Sequence, residues 1–196
     1  MHAAMRLARA LMRIARVLWL PCIAAIAGWS PPLHAQDEPT AIERRVKAAF
    51  LYKFTGYAAW PEGTFARAGS PLTIGVMGDD QLAAETAQLV AGRTIDGRPI
   101  AVKRVTFAEL TGGVHILFVA RAEWARVAQF ARALPPTPML IVSESEGALR
   151  QGSAVNFVIV DGRVRFDVAL DAAERRGVKL SSRLLAVARS VQGAPQ

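Results

Sequence analysis

The side chains able to do chemistry are few, and most stand at the ends of apolar runs. Asp79 and Asp80 follow LTIGVMG (72–78), Arg121 follows VHILFVA (114–120), and Ser143 and Glu144 close MLIVSE (139–144). Paired acids at a strand end suit a phosphoacceptor, but that chemistry needs a further Asp at the end of the third run. There, HILFVARAE carries Ala120 and Arg121. Helix capping is therefore the favoured reading of the two aspartates. The alternative is a crevice for a small polar ligand formed by Asp79, Asp80, Arg121 and Ser143, with Glu144 beside them. Ligands of open α/β sheets bind outside the carboxyl ends of the strands, where all five would be delivered. His115 lies in an apolar run behind Gly112-Gly113. It reads as a core or strand-edge histidine bonded to backbone rather than as a base or ligand.

What is missing narrows the choice further. The sequence has no G-x-S-x-G, G-x-x-x-x-G-K-[ST] or G-x-G-x-x-G pattern. Residues 1–35 carry Arg6, Arg9, Arg13 and Arg16, no acid, a short apolar run from Val17 to Trp29 and small residues before Gln36. These are the parts of a secretory signal, with cleavage expected after Ala35, and the apolar run is shorter than a spanning helix needs. Leu20-Pro21-Cys22 is a poor lipidation site, because Pro directly precedes the cysteine. Removal of the signal takes away Cys22, the single cysteine, together with His2 and His34, and leaves His115 as the sole histidine. Disulfides, cysteine nucleophiles and the common His/Cys metal sets are thereby excluded, and no cofactor is expected. Four of the 24 Lys+Arg and none of the 16 Asp+Glu leave with the signal, so the processed chain carries 20 − 16 = +4. That modest charge, spread along the chain, argues for a solvated surface and against nucleic-acid binding.

The elements that would hold these residues form one domain over 42–191, after a short polar leader (36–41) and before a tail (192–196). The spacing of Ile42, Val46, Ala49, Phe50, Phe54 and Tyr57 predicts an amphipathic first helix. Glu43, Arg44, Lys47 and Thr55 fall on or near its polar side, and Trp60-Pro61 ends it. Lys53 projects from the middle of the apolar arc, and is expected to snorkel to the rim or to find an acid. Apolar runs at 72–78, 99–105, 114–120 and 139–143 predict strands, and helices are expected over 79–92 and 121–134. Three strand-helix-strand steps imply right-handed crossovers. Asp161-Gly162 between two alternating runs predicts a hairpin. Asp171 is expected to cap a short helix, and Ser181 or Ser182 a last helix through Val191. The predicted fold is a three-layer α/β/α sandwich with a mostly parallel sheet and a C-terminal antiparallel hairpin at one edge.

Taken in order, AAFLYKFTGYAAWP, IGVMGDD, GRTIDGRPIAVKRV, HILFVA, LIVSESEG and VNFVIVDGRVRFDVALDAAERRGVKLSSRLLAVA resemble the YfiR family of exported bacterial proteins over residues 42–191. The resemblance implies a periplasmic, dimeric repressor with no chemistry of its own. Its partner would be the periplasmic sensor portion of a YfiN-like inner-membrane diguanylate cyclase, until a YfiB-like, OmpA-type lipoprotein sequesters it. Control of cyclic di-GMP and biofilm formation would follow. The partner surface that the resemblance implies lies at the C-terminal hairpin and the helix after it: Asp167, with Val155 and Ala173 nearby. The family's cysteine pair flanking the loop before the hairpin falls on Leu149 and Asn156, so redox control through that pair cannot operate here. A solute-binding or accessory protein using the strand-end crevice is the alternative.

Overall fold

LTIGVM is apolar along its length, and the strand it forms, β2 (Leu72–Met77), is buried at every position. The computed structural model describes residues 37–110, 112–131 and 137–193. The expected signal, with Cys22 and the cleavage point at Ala35, lies outside them, as do Leu134, Pro135 and the last three residues of the tail. Among the described residues α1 (Asp37–Tyr57) leads into β1 (Ala58–Ala59), and β2 is followed by α2 (Asp80–Val90). Next come β3 (Thr94–Ile95), β4 (Arg98–Arg104), β5 (Ile116–Val119), α3 (Arg121–Ala131) and β6 (Leu140–Ser143). The chain ends with β7 (Val155–Val160), β8 (Arg163–Ala169), α4 (Leu170–Glu174), β9 (Lys179–Leu180), α5 (Ser182–Val187) and β10 (Ser190–Gln192). Eight strands form one sheet in the order β10-β8-β7-β6-β5-β2-β4-β3, and β1 pairs with β9 outside it. The contacts from β4 through β7 are parallel.

Alternation along the strands divides the interior into two cores, one on each face. Leu72, Ile74, Val76, Ile116, Phe118, Leu140 and Val142 point to the first, with Leu51 and Phe54 of α1, Leu82 of α2, Ala173 of α4 and Leu184 of α5. Met77, Leu117, Val119 and Ile141 point to the second, with Trp124 and Val127 of α3. This is the expected three-layer sandwich. Gly75 has no side chain because none fits: a β-carbon there would lie 2.9 Å from Cγ1 of Val114. Asp161 and Gly162, at φ of 50° and 68°, make the tight turn that joins β7 to β8 in register, Phe157 opposite Phe166.

Four expectations change. First, α1 begins at Asp37 and is rolled about its axis relative to the predicted face. Its fully covered residues are Lys47, Ala48, Leu51, Phe54 and Thr55, while Ile42 is 59 % exposed and Lys53 points to solvent. Second, only a 3-10 turn (Phe107–Glu109) joins β4 to β5, so two of the three expected crossovers carry an α-helix. Third, α4 starts one residue before Asp171, which pairs with Arg175 inside the helix instead of capping it. Fourth, the last helix stops at Val187 and the chain returns as β10, parallel to β8. The Arg189 amide donates to the Phe166 carbonyl, and Val191 joins the first core beside Val168. Sheet pairing and burial thus override helical spacing, and β10 lies outside the hairpin.

Candidate functional site

The aromatic residues of α1 hold the hairpin. Phe50 and Phe54 meet Phe166 edge-on, at centroid distances of 5.2 and 5.4 Å, and Phe54 stacks on Phe157 at 6.0 Å. These contacts use one face of β7–β8. On the other face the second core includes no hairpin residue. Asn156, Val158 and Val160 there stand opposite Asp167, Arg165 and Arg163. Arg163 and Arg165 are exposed, and Val158 and Val160 are half-buried.

Asp167 is at the centre of this open face. Arg189 grips it with both ends of its guanidinium: Nε donates to Oδ1 at 2.7 Å, and a terminal nitrogen donates to Oδ2. Ser190 adds bonds from its hydroxyl and its amide. Burial pushes the carboxyl up, but Arg189 and Ser190 outweigh it and hold the group below the ordinary carboxylate range. The Asp167 side chain is 9 % exposed and that of Arg189 49 % exposed, so what solvent meets is the guanidinium. The pair borders a cleft of about 210 Å³ that Leu149, Arg150, Asn156 and Val158 also line. Leu149 and Asn156, the positions matched to the family's cysteines, therefore lie on one cleft. Asn156 is anchored from behind, its Oδ1 accepting from Ser143 Oγ at 2.7 Å. Val155 and Ala173 are fully buried and cannot touch a partner directly. They support the face from beneath.

The strand-end residues go to separate tasks. Asp79 caps α2, accepting from the Leu82 amide at 2.8 Å. Asp80 is exposed, 3.4 Å from Arg104. Ser143 is fully buried and bonded to Ser153 and Asn156. Arg121 and Glu144 do meet: Oε1 of Glu144 accepts from the Arg121 amide at 3.2 Å. At the switch point between β2 and β5, Glu123 packs so closely on Gly78 that a β-carbon there would lie 2.8 Å from its Cγ. Among the described residues no group of three or more His, Cys, Asp or Glu could hold a metal ion.

Lys47 was placed on the polar side of α1 by its spacing, yet it is almost fully covered and joins Glu43 to Glu144. Burial opposes its charge; Glu144 and Glu43 outweigh burial and raise its pKa above the ordinary lysine value. The i,i+4 spacing of Glu43 and Lys47 was a visible signal, whereas Glu144, 97 residues away, was not.

His115 has the backbone-bonded position expected of it, with Nδ1 accepting from the Thr73 amide at 3.0 Å. Above it a groove of about 470 Å³ opens between Tyr57, Trp60 and Phe65 on one side and Asp96, Lys179 and Leu180 on the others. Its only sequence signal was the aromatic end of AAFLYKFTGYAAWP. The Trp60 indole nitrogen is buried there without an acceptor.

These features define an α/β/α domain whose candidate site is an open sheet face built around a neutralised ion pair. The chain belongs to the YfiR/HmsC-like family, whose model matches residues 44–189. Membership places it among periplasmic regulators of diguanylate cyclase signalling rather than among catalysts. The comparison with curated proteins gives no match. No helix among the described residues is long and apolar enough to cross a membrane.

Proposed function

We propose that this protein is an exported repressor that docks on the periplasmic sensor portion of a YfiN-like inner-membrane diguanylate cyclase and holds it inactive. A YfiB-like, OmpA-type lipoprotein relieves it, the working unit is a homodimer, and the protein performs no chemistry of its own. The observation that carries the reading is the asymmetry of the hairpin. One face is locked by Phe50 and Phe54, and the other is left outside both cores and presents Arg163, Arg165 and Arg189, the last held over the nearly buried Asp167. A sheet face left uncovered beside a cleft of charged and apolar groups suits protein docking, where a few well-placed side chains dominate the affinity.

Asp167→Arg alone is a poor test, because it sets a cation against Arg189 at a nearly buried site. The exchange Asp167→Arg with Arg189→Asp keeps opposite charges in contact and reverses what the face presents. It is expected to fold, with a melting temperature within about 5 °C of the wild type, and to lose repression of cyclic di-GMP synthesis. Full repression by a folded exchange variant would remove this face from the interface.

A second reading has its own observation. The groove beside Trp60 could take a small planar ligand stacked against the rings of Tyr57, Trp60 and Phe65 that line it. A ligand that binds the folded state raises the melting temperature by mass action, and a thermal-shift screen separates the two readings.

A further inference from the structure

We propose that His115 is a proton-operated latch: uptake of a proton on Nδ1 breaks its bond to the Thr73 amide and releases the loop 61–71, widening the groove that Trp60 and Phe65 line. The inference stands apart from the identity of any partner. The Thr73 N–H is a strand donor whose direction is fixed by β2, and the two residues are tied twice, since the His115 amide also donates to the Thr73 carbonyl at 2.9 Å. Nδ1 must therefore keep its lone pair, and the neutral ring carries its hydrogen on Nε2. A second proton would set two N–H donors against each other, and the ring would have to turn and leave a buried amide without an acceptor.

The loop rests on this ring. Phe65 stacks on the imidazole at 4.7 Å with 16° between the planes, and Trp60 meets it edge-on at 5.8 Å. Arg98 of β4 lies 4.1 Å from the Phe65 ring centre and donates to the Arg67 carbonyl at 3.1 Å and the Ser70 carbonyl at 3.3 Å. A cation is thus already built into the stack, and an imidazolium beside it would add repulsion. The contacts on His115 from β2 and β6 are backbone ones, to Thr73 and Leu140. Asp96 and Lys179 border the groove. Burial first, and Arg98 second, hold the imidazole below its ordinary value of 6.5. For a base whose pKa is depressed in the closed form, the stability of closure is complete above the ordinary value. It is lost as pH falls from there toward the depressed one.

The test is NMR titration of the whole chain from about pH 8 to about pH 5, the range in which a histidine changes charge. His115→Asn serves as control, because it keeps an acceptor near the position of Nδ1 and cannot take the proton. The imidazole of His115, the amides of residues 64–70 and the Trp60 indole N–H are expected to shift together at one midpoint below 6.5. At the acid end the loop amides should exchange faster than those of His115→Asn at the same pH. Three results would each overturn the latch. They are an imidazole titrating at its ordinary value while the loop stays still, a loop that shifts equally in His115→Asn, and exchange that accelerates across the whole sheet at the same pH. Should His115→Asn fail to fold, the wild-type titration alone decides through the first and third.

Discussion

Lys47 and Lys53 lie less than two turns apart on α1 and have opposite surroundings. Helical spacing alone placed Lys53 in the apolar arc and Lys47 near the polar side; rotation of the helix by its actual contacts reverses this. Removing one partner of a covered ion cluster leaves the others unpaired, so Lys47→Ala is expected to cost about 3 kcal/mol in urea unfolding. Lys53→Ala should leave the midpoint unchanged. Equal effects of the two substitutions would contradict the burial described. Asp167 teaches the same lesson at the candidate site. Its position on the hairpin was readable from VNFVIVDGRVRFDVAL, but its partner was not. Arg189 falls in VARSV, which spacing alone assigns to a helix, and it reaches the carboxylate because the chain there leaves the helix and pairs with β8, its amide donating to the Phe166 carbonyl.

Among the elements, those written in local patterns were legible: the all-apolar run of β2, Asp79 capping α2, Asp161-Gly162 between the strands of the hairpin, and Ser181 opening α5. The elements that escaped are β1, β3, β9 and β10, with two or three residues each. A strand that short has no period to read; β1 and β9 also owe their existence to a neighbour distant in sequence, as Ala58 pairs with Leu180, while β3 folds back on β4 across Asp96-Gly97. Close approach between elements is equally invisible in sequence but is measurable. Gly75→Ala would put a methyl group 2.9 Å from Val114 and 3.2 Å from Val105. Such overpacking is expected to cost about 1–3 kcal/mol, read as a lower urea midpoint with an unchanged slope. An unaffected midpoint would mean that the segment 105–114 yields easily.

At the scale of the whole molecule, the two cores share one sheet: Ile116 and Phe118 serve the first while Leu117 and Val119 of the same strand serve the second. Neither can melt alone without uncovering β5. Unfolding followed at Trp124, in the second core, and by far-ultraviolet circular dichroism should therefore give coincident transitions. Two separated midpoints would show that the layers are independent. The sheet also ends in strands of two and three residues, β3 at one border and β10 at the other. Past β3 the outer border of β4 runs on to Arg104 with Lys103 and Arg104 exposed, and such edge charges discourage a stray extended polypeptide from adding a strand there. Charge at the border, more than closure of the sheet, keeps copies of such a molecule from polymerising through their own backbones.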